Sequence, residues 1–243
     1  MNKKKSISNL SIITPFKEKS NIKLIETISC LYKQNLNINI KHLILYDHSC
    51  HNVLQLKEIF PSKEKYFLRF ISIREKGIYS AINLGLDTLQ KGSFYIVIGA
   101  GDLIFLNNIK EIKIDKILFC QYRLSNKKHN INCLRNIYTG MPYCHNAIIF
   151  KFNNLRYSKR YSICSDYDYL LEFLKHEKIN KTEVKNFNKK INIIFESKCG
   201  ISTKSFFKKN YENLSIISKR EGFKYIFLYL FLNFKKIIKR IYE

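Results

Sequence analysis

The sequence predicts an α/β protein built on a doubly wound, mainly parallel sheet. Three observations predict it. Short apolar runs alternate with stretches whose apolar residues recur at three and four. Phe94-Tyr95-Ile96-Val97-Ile98 is continuously apolar, as a central strand covered on both faces requires. Asp47, Glu75 and Asp102 each come just after a predicted strand, on the rim where such sheets bind ligands.

The elements follow in order. Residues 10–13 read as a short strand stopped at Pro15. Ser20 is placed to cap a helix with Leu24, Ile25, Ile28 and Leu31 on one face. Residues 42–46 form the next strand, a short helix covers 53–60, and 67–73 form a third strand. Ile78, Ala81, Ile82, Leu86 and Leu89 share a helical face before the strand at 94–98. The second half is less regular: strands at 116–122, 147–150 and 191–195, a polar loop at 124–140, a helix at 166–175 and a basic helix at 202–221.

The length of 243 residues suits one α/β domain, 1–205, with a basic, aromatic helical extension at 206–243. The balance of 43 Lys+Arg against 19 Asp+Glu gives a net charge of +24. Part of it is the general richness in Lys, Asn and Ile. The rest points to an anionic partner: nucleic acid, a membrane face or a polyanionic substrate. The cysteine count is 7, an odd number with no C-x-x-C pair, so neither a disulfide framework nor a zinc knuckle is expected. Met1-Asn2-Lys3-Lys4-Lys5 is like a signal n-region, but 6–14 lack an apolar core, and no run reaches the roughly 18 apolar residues of a spanning helix. A reducing, cytoplasmic setting fits.

Four places carry chemistry. Gly99-Ala100-Gly101-Asp102 follows the buried strand. Its glycines permit a sharp turn and close approach to a phosphate, and its carboxylate suits Mg²⁺ or Mn²⁺ bridging to phosphates. The competing reading is a plain turn. Ser165-Asp166-Tyr167-Asp168 opens a helix, where Ser165 and Asp168 fit a capping box. Asp166 is not the box partner, which leaves it as a candidate base. His145 precedes an apolar strand and suits either a diphosphate contact or a structural hydrogen bond. The run 225–232 is apolar and aromatic, and Lys235, Lys236, Lys239 and Arg240 follow it. It suits a helix in a membrane interface, or one docked on the parent domain or on a second copy.

Taken in order, the motifs resemble family 2 glycosyltransferases of the GT-A fold, of the bacterial O-antigen and capsule type, over roughly residues 9–205. The matching pieces are Ser11-Ile12-Ile13-Thr14-Pro15, Gln34, Asp47, the segment from Glu75-Lys76-Gly77-Ile78-Tyr79 to Asn83-Leu84-Gly85, Gly99-Ala100-Gly101-Asp102, Cys144-His145-Asn146-Ala147 and Ser165-Asp166-Tyr167-Asp168. The resemblance implies an inverting transfer from a nucleotide sugar, with UDP as the expected nucleotide. It implies Asp166 as the catalytic base. It implies a donor site at Thr14, Pro15, Asp47, Glu75, Asn83, Gly101, Asp102 and His145, with Asp102 facing Mg²⁺ or Mn²⁺. The expected partners are the donor, a lipid-diphosphate or glycan acceptor, and the anionic inner face of the cytoplasmic membrane. The chain departs from the family at Gly101, Ser80 and Glu75, where the family often has Asp, and at Asn52, where it often has a second acid. The change at Gly101 removes one expected metal ligand.

Two other classes compete. A nucleic-acid-binding protein is suggested by charge alone, but the lysines are scattered and no helix-turn-helix, RNA-binding aromatic motif or zinc finger is present. A transferase-like protein with impaired catalysis is suggested by Gly101 and opposed by the intact Asp166.

Overall fold

The computed structural model describes residues 5–17, 21–106, 112–125, 136–180, 187–195 and 205–242. Ser20, part of the predicted 124–140 loop and the start of the 202–221 helix lie outside them. The chain packs as two compact units. The first comprises Met1–Asn132, His145–Arg156 and Lys185–Lys198. The second comprises Cys133–Cys144, Tyr157–Val184 and Cys199–Glu243.

The first unit is built on an 8-stranded sheet. In chain order its strands are β2 (Asn9–Phe16), β3 (Asn39–Asp47), β4 (Tyr66–Ile73), β5 (Phe94–Val97), β6 (Leu103–Phe105), β8 (Ile117–Leu124), β9 (Ile148–Lys151) and β10 (Phe187–Phe195). Two short strands, β1 (Lys5–Ile7) and β7 (Ile112–Ile114), pair separately. The sheet order is β4-β3-β2-β5-β9-β8-β10-β6. The first four strands are mutually parallel, and β10 is parallel to β8. As predicted, the sheet is mainly parallel. Its departure from that direction centres on β9, antiparallel to both neighbours, and on β6 at the edge. Periodicity locates an apolar strand but does not encode its direction.

Among the described residues three helices serve this unit: α1 (Ile22–Tyr32), the single-turn α2 (Leu56–Ile59) and α3 (Ile78–Asp87). Leu24, Ile28 and Leu31 of α1 are fully buried, as their spacing predicts. β5 is buried along its whole length. β2 does not stop at Pro15: that residue pairs with Leu45, and the strand continues to Phe16. The ladder to β5 covers only Ser11, Ile12 and Ile13, so Pro15 lies where one flank has no strand partner and a missing N–H is tolerated. α3 approaches the sheet at Gly85, where a Cβ would meet Ile13 at 3.0 Å.

The second unit is helical in its described residues: α4 (Ser165–His176), α5 (Phe206–Glu221) and α6 (Lys224–Tyr242), with a 3-10 turn at Ile137–Thr139. Its core gathers Tyr161, Cys164, Tyr167 and Leu171 with Ile216, Ile217 and Tyr229. Tyr138 stacks on Tyr225 at 4.4 Å between ring centroids.

Candidate active site

Because β2 to β5 are parallel, their carboxyl ends leave the sheet at one edge. Pro15 pairs with Leu45, Leu45 with Ile71, and Asp47 with Ile73. The strand order therefore sets Glu75, Asp47, Pro15 and the Gly99–Asp102 turn in sequence along that rim. Glu75 is exposed, and Asn83 on α3 is half-buried.

Asp47 closes β3 with a local turn. Its Oδ1 accepts from the Ser49 hydroxyl at 2.7 Å and from the Ser49 N–H at 3.1 Å, and Lys17 lies 3.8 Å from Oδ2. These bonds, Ser49 first, hold its carboxyl below the ordinary aspartate value. Thr14 is fully buried. Its hydroxyl lies 2.9 Å from His42 Nε2, and His42 Nδ1 lies 2.6 Å from the Tyr66 hydroxyl. Burial pulls the His42 pKa down to about 3, so the ring is neutral and has one donor and one acceptor for this chain. The Thr14 hydroxyl thus braces the sheet.

The Asp102 turn is tied down from three sides. Asp102 Oδ2 accepts from the Gly99 N–H at 3.1 Å and from Asn146 Nδ2 at 2.9 Å. A Cβ on Gly99 would sit 2.7 Å from that oxygen, so only glycine leaves room for the carboxylate. Thr27 of α1 accepts from the Gly101 N–H at 2.9 Å and donates to the Asp102 carbonyl at 2.9 Å. The Gly101 N–H also reaches the Lys23 carbonyl at 3.0 Å. Gly101 has φ +94°, a conformation that an Asp rarely adopts. The departure at Gly101 is therefore a backbone feature as well as a lost carboxylate.

His145 is buried, its ring tilted against Phe150 at 5.8 Å. Burial lowers its pKa to about 4, so it is neutral at pH 7 and offers a diphosphate no charge. Its neighbour Asn146 reaches Asp102. Among the described residues no three His, Cys, Asp or Glu side chains gather to hold a metal ion. One oriented carboxylate does fit a divalent cation that takes its other ligands from a diphosphate and water.

Gln34 supports the same turn from beyond. Its amide donates to the Ile104 carbonyl at 2.7 Å and accepts from the Leu106 N–H at 2.6 Å. It pairs with edge strand β6 as a neighbouring peptide would.

In the second unit the predicted capping box does not form. Cys164 is the N-cap and Ser165 the first helical residue, with a buried hydroxyl. Asp168 instead accepts from Arg220 at 2.6 and 3.1 Å, and Arg220 also donates to Glu172 at 2.6 Å. The α4 amino end is served by Glu212 of α5. Its carboxylate accepts the N–H groups of Ser162, Ile163 and Cys164 at 3.0, 2.9 and 2.8 Å, and the Ser162 hydroxyl at 3.0 Å. Burial raises the Glu212 pKa, but these donors outweigh it and the carboxyl titrates below its ordinary value. Asp166 is half-buried between buried Ser165 and Tyr167, and its Oδ1 accepts the Tyr167 N–H at 2.8 Å. The Cys164 thiol is pushed up to about 12 by burial, then by the charges of Asp166 and Glu212.

Three residues in these frames had no part in the sequence reading of the sites, Thr27, Glu212 and Arg220, and Asn146 stood in the His145 segment without a role of its own. Thr27 gave a signal, as a polar residue beside Leu24 and Ile28 on an apolar helix face, and Glu212 and Arg220 gave none.

No protein-family model matches the chain, and no curated protein does. Solved structures do. A 1–349 piece of S. aureus TarS in complex with UDP-GlcNAc matches with a TM-score of 0.60 at 13% identity, over 88% of this chain and 67% of that one. A longer S. aureus TarS structure matches with a TM-score of 0.56 at 14% identity, and the present chain spans only 40% of its length. The mannosyltransferase PcManGT from Pyrobaculum calidifontis, in complex with GDP-Man and Mn²⁺, matches with a TM-score of 0.57 at 11% identity, over 86% of this chain and 63% of that one. At such identities the likeness is one of fold: the chain has the mainly parallel α/β fold of GT-A glycosyltransferases.

Proposed function

We propose that the protein is an inverting glycosyltransferase that moves a hexosyl or N-acetylhexosaminyl group from a UDP-sugar to a hydroxyl of a lipid-linked or surface glycan acceptor. The observation that carries the reading is the row of Glu75, Asp47 and Asp102 beyond the carboxyl ends of the parallel strands β4, β3 and β5, on a fold shared with structures that hold UDP-GlcNAc and GDP-Man. Asp47 and Glu75 read the nucleoside, with Pro15 and Asn83 lining that site and buried Thr14 bracing the strand beneath it. Asp102, oriented by Gly99 and Asn146, would hold Mg²⁺ or Mn²⁺, which would supply charge neutralisation of the leaving diphosphate. Gly101 lets the backbone come close, and His145 serves the donor side as a neutral group.

Asp166 accepts the proton of the acceptor hydroxyl as that oxygen bonds to the anomeric carbon and the nucleoside diphosphate departs with the bonding pair. A positioned base contributes about 10²- to 10⁴-fold. Residues 1–205 carry the transfer. The extension at 206–243 keeps the protein at the anionic inner face of the cytoplasmic membrane, where O-antigen or capsule acceptors sit.

A thermal-shift panel with UDP, GDP, dTDP and CMP, each with Mn²⁺, tests the donor class. Selective stabilisation by UDP is expected. Equal indifference to all four nucleotides contradicts the reading.

A further inference from the structure

We propose that the outward face of α6 docks on an anionic lipid bilayer, with the helix lying in the plane of the interface. The proposal deepens, and for its purpose rests on, the membrane-side reading above.

α6 has two apolar faces. One packs inward: Tyr229 is buried, its hydroxyl donates to Asn210 at 2.6 Å, and Tyr225 stacks on Tyr138. The other carries Phe227, Leu230, Phe231 and Phe234, exposed by 73%, 50%, 55% and 62%. At helical spacing these four fall in one stripe about 100° wide, opposite Tyr225 and Tyr229. A helix that only docks on its parent domain has no use for a second such stripe. The turn at Gly222, with φ +94°, and the Tyr229–Asn210 bond fold α6 back along α5. Phe206 and Phe207 at the start of α5 are exposed as well.

Charge selects the occupant. α6 contains no acid, begins at exposed Lys224, and continues in sequence through Lys235, Lys236, Lys239 and Arg240. A second copy would set one chain of charge +24 against another, whereas anionic headgroups complement it. No described helix is long and apolar enough to cross a membrane, so the stripe lies in the interface.

The test is vesicle sedimentation of the full chain with phosphatidylcholine alone and with added phosphatidylglycerol, for wild type and for the triple variant F227S/L230S/F234S. Wild type is expected to bind the anionic vesicles at least about ten-fold more tightly than the neutral ones, and the variant to lose about ten-fold or more. Melting curves check that these exposed substitutions leave the fold intact. Wild type failing to bind anionic vesicles, or the variant binding equally well, overturns the proposal. So does light scattering that shows a wild-type dimer and a variant monomer, because the occupant is then a second copy. A UDP titration of the same samples separates the two readings: vesicle binding without nucleotide binding sinks the transferase alone, and the converse sinks the docking face alone.

Discussion

The carboxylate of Glu212 accepts the backbone N–H of Cys164 at 2.8 Å, filling the amino end of the helix that carries Asp166. A helix amino terminus is an anion site, and here the anion is the protein's own. Glu212 also takes the N–H of Ile163, while Arg220, about two turns further along α5, holds Asp168 and Glu172. Two bonded contacts from α5 thus fix the first turns of α4.

Glu212→Ala leaves these N–H groups without their acceptor. At about 1–3 kcal/mol for each of the two more buried donors, Ile163 and Cys164, the variant is expected to lose roughly 2–6 kcal/mol of stability. Hydrogen exchange is the direct check: the Ile163 and Cys164 amides should exchange faster in the variant, while those of β5 should not change. Unaltered exchange at 163 and 164 rules out the brace.

Gly99→Ala places a Cβ 2.7 Å from Asp102 Oδ2, so the carboxylate must leave its position. The variant is expected to bind UDP at least about ten-fold more weakly in the presence of Mn²⁺, a loss of about 1.4 kcal/mol or more. Calorimetry with wild type and variant decides it.

Gly101→Asp restores the acid that the resembled family often carries, yet it is expected to harm the protein. A non-glycine residue at φ +94° costs about 1–3 kcal/mol. The expected outcome is a lower melting temperature with no gain in Mn²⁺-dependent nucleotide affinity. Tighter binding would show that the turn relaxes freely.

Two buried histidines set an acid limit on stability. The His145 pKa falls from 6.5 to about 4 in the folded chain, and that of His42 to about 3. The unfolded chain binds these protons first, so the stabilisation is complete above about pH 6.5 and is lost as pH falls toward 4. His145 alone accounts for up to about 3 kcal/mol over that window. Asp47 and Glu212, with lowered pKa values, add their losses only at the acid end. Urea unfolding at pH 7.0, 5.5 and 4.5 should show a steady fall, and a flat profile contradicts neutral burial of these rings.

The rim was legible in the sequence because its signals are local. A strand followed by an acid or by Gly-x-Gly-Asp is written in consecutive residues, and β3, β4 and β5 formed where the apolar runs stand. What was not legible joins residues far apart. Ser165 and Asp168 satisfy the spacing of a capping box, but Glu212 and Arg220, from a helix some fifty residues on, outcompete that local pairing with charge-assisted bonds. In the segment around His145, the polar neighbour Asn146 turned out to be the one on Asp102. The direction of β9 depends on which strands it joins, and local pattern carries no record of that.

The central claim is a donor site on the rim formed by Asp47, Glu75 and Asp102. Calorimetric titration with UDP, with and without Mn²⁺, on wild type and Asp102→Asn, tests it most directly. Micromolar binding by wild type is expected, weakening about ten-fold or more either without Mn²⁺ or in the variant. No binding of UDP at millimolar concentration would contradict it and return the rim acids to the role of ordinary turn residues.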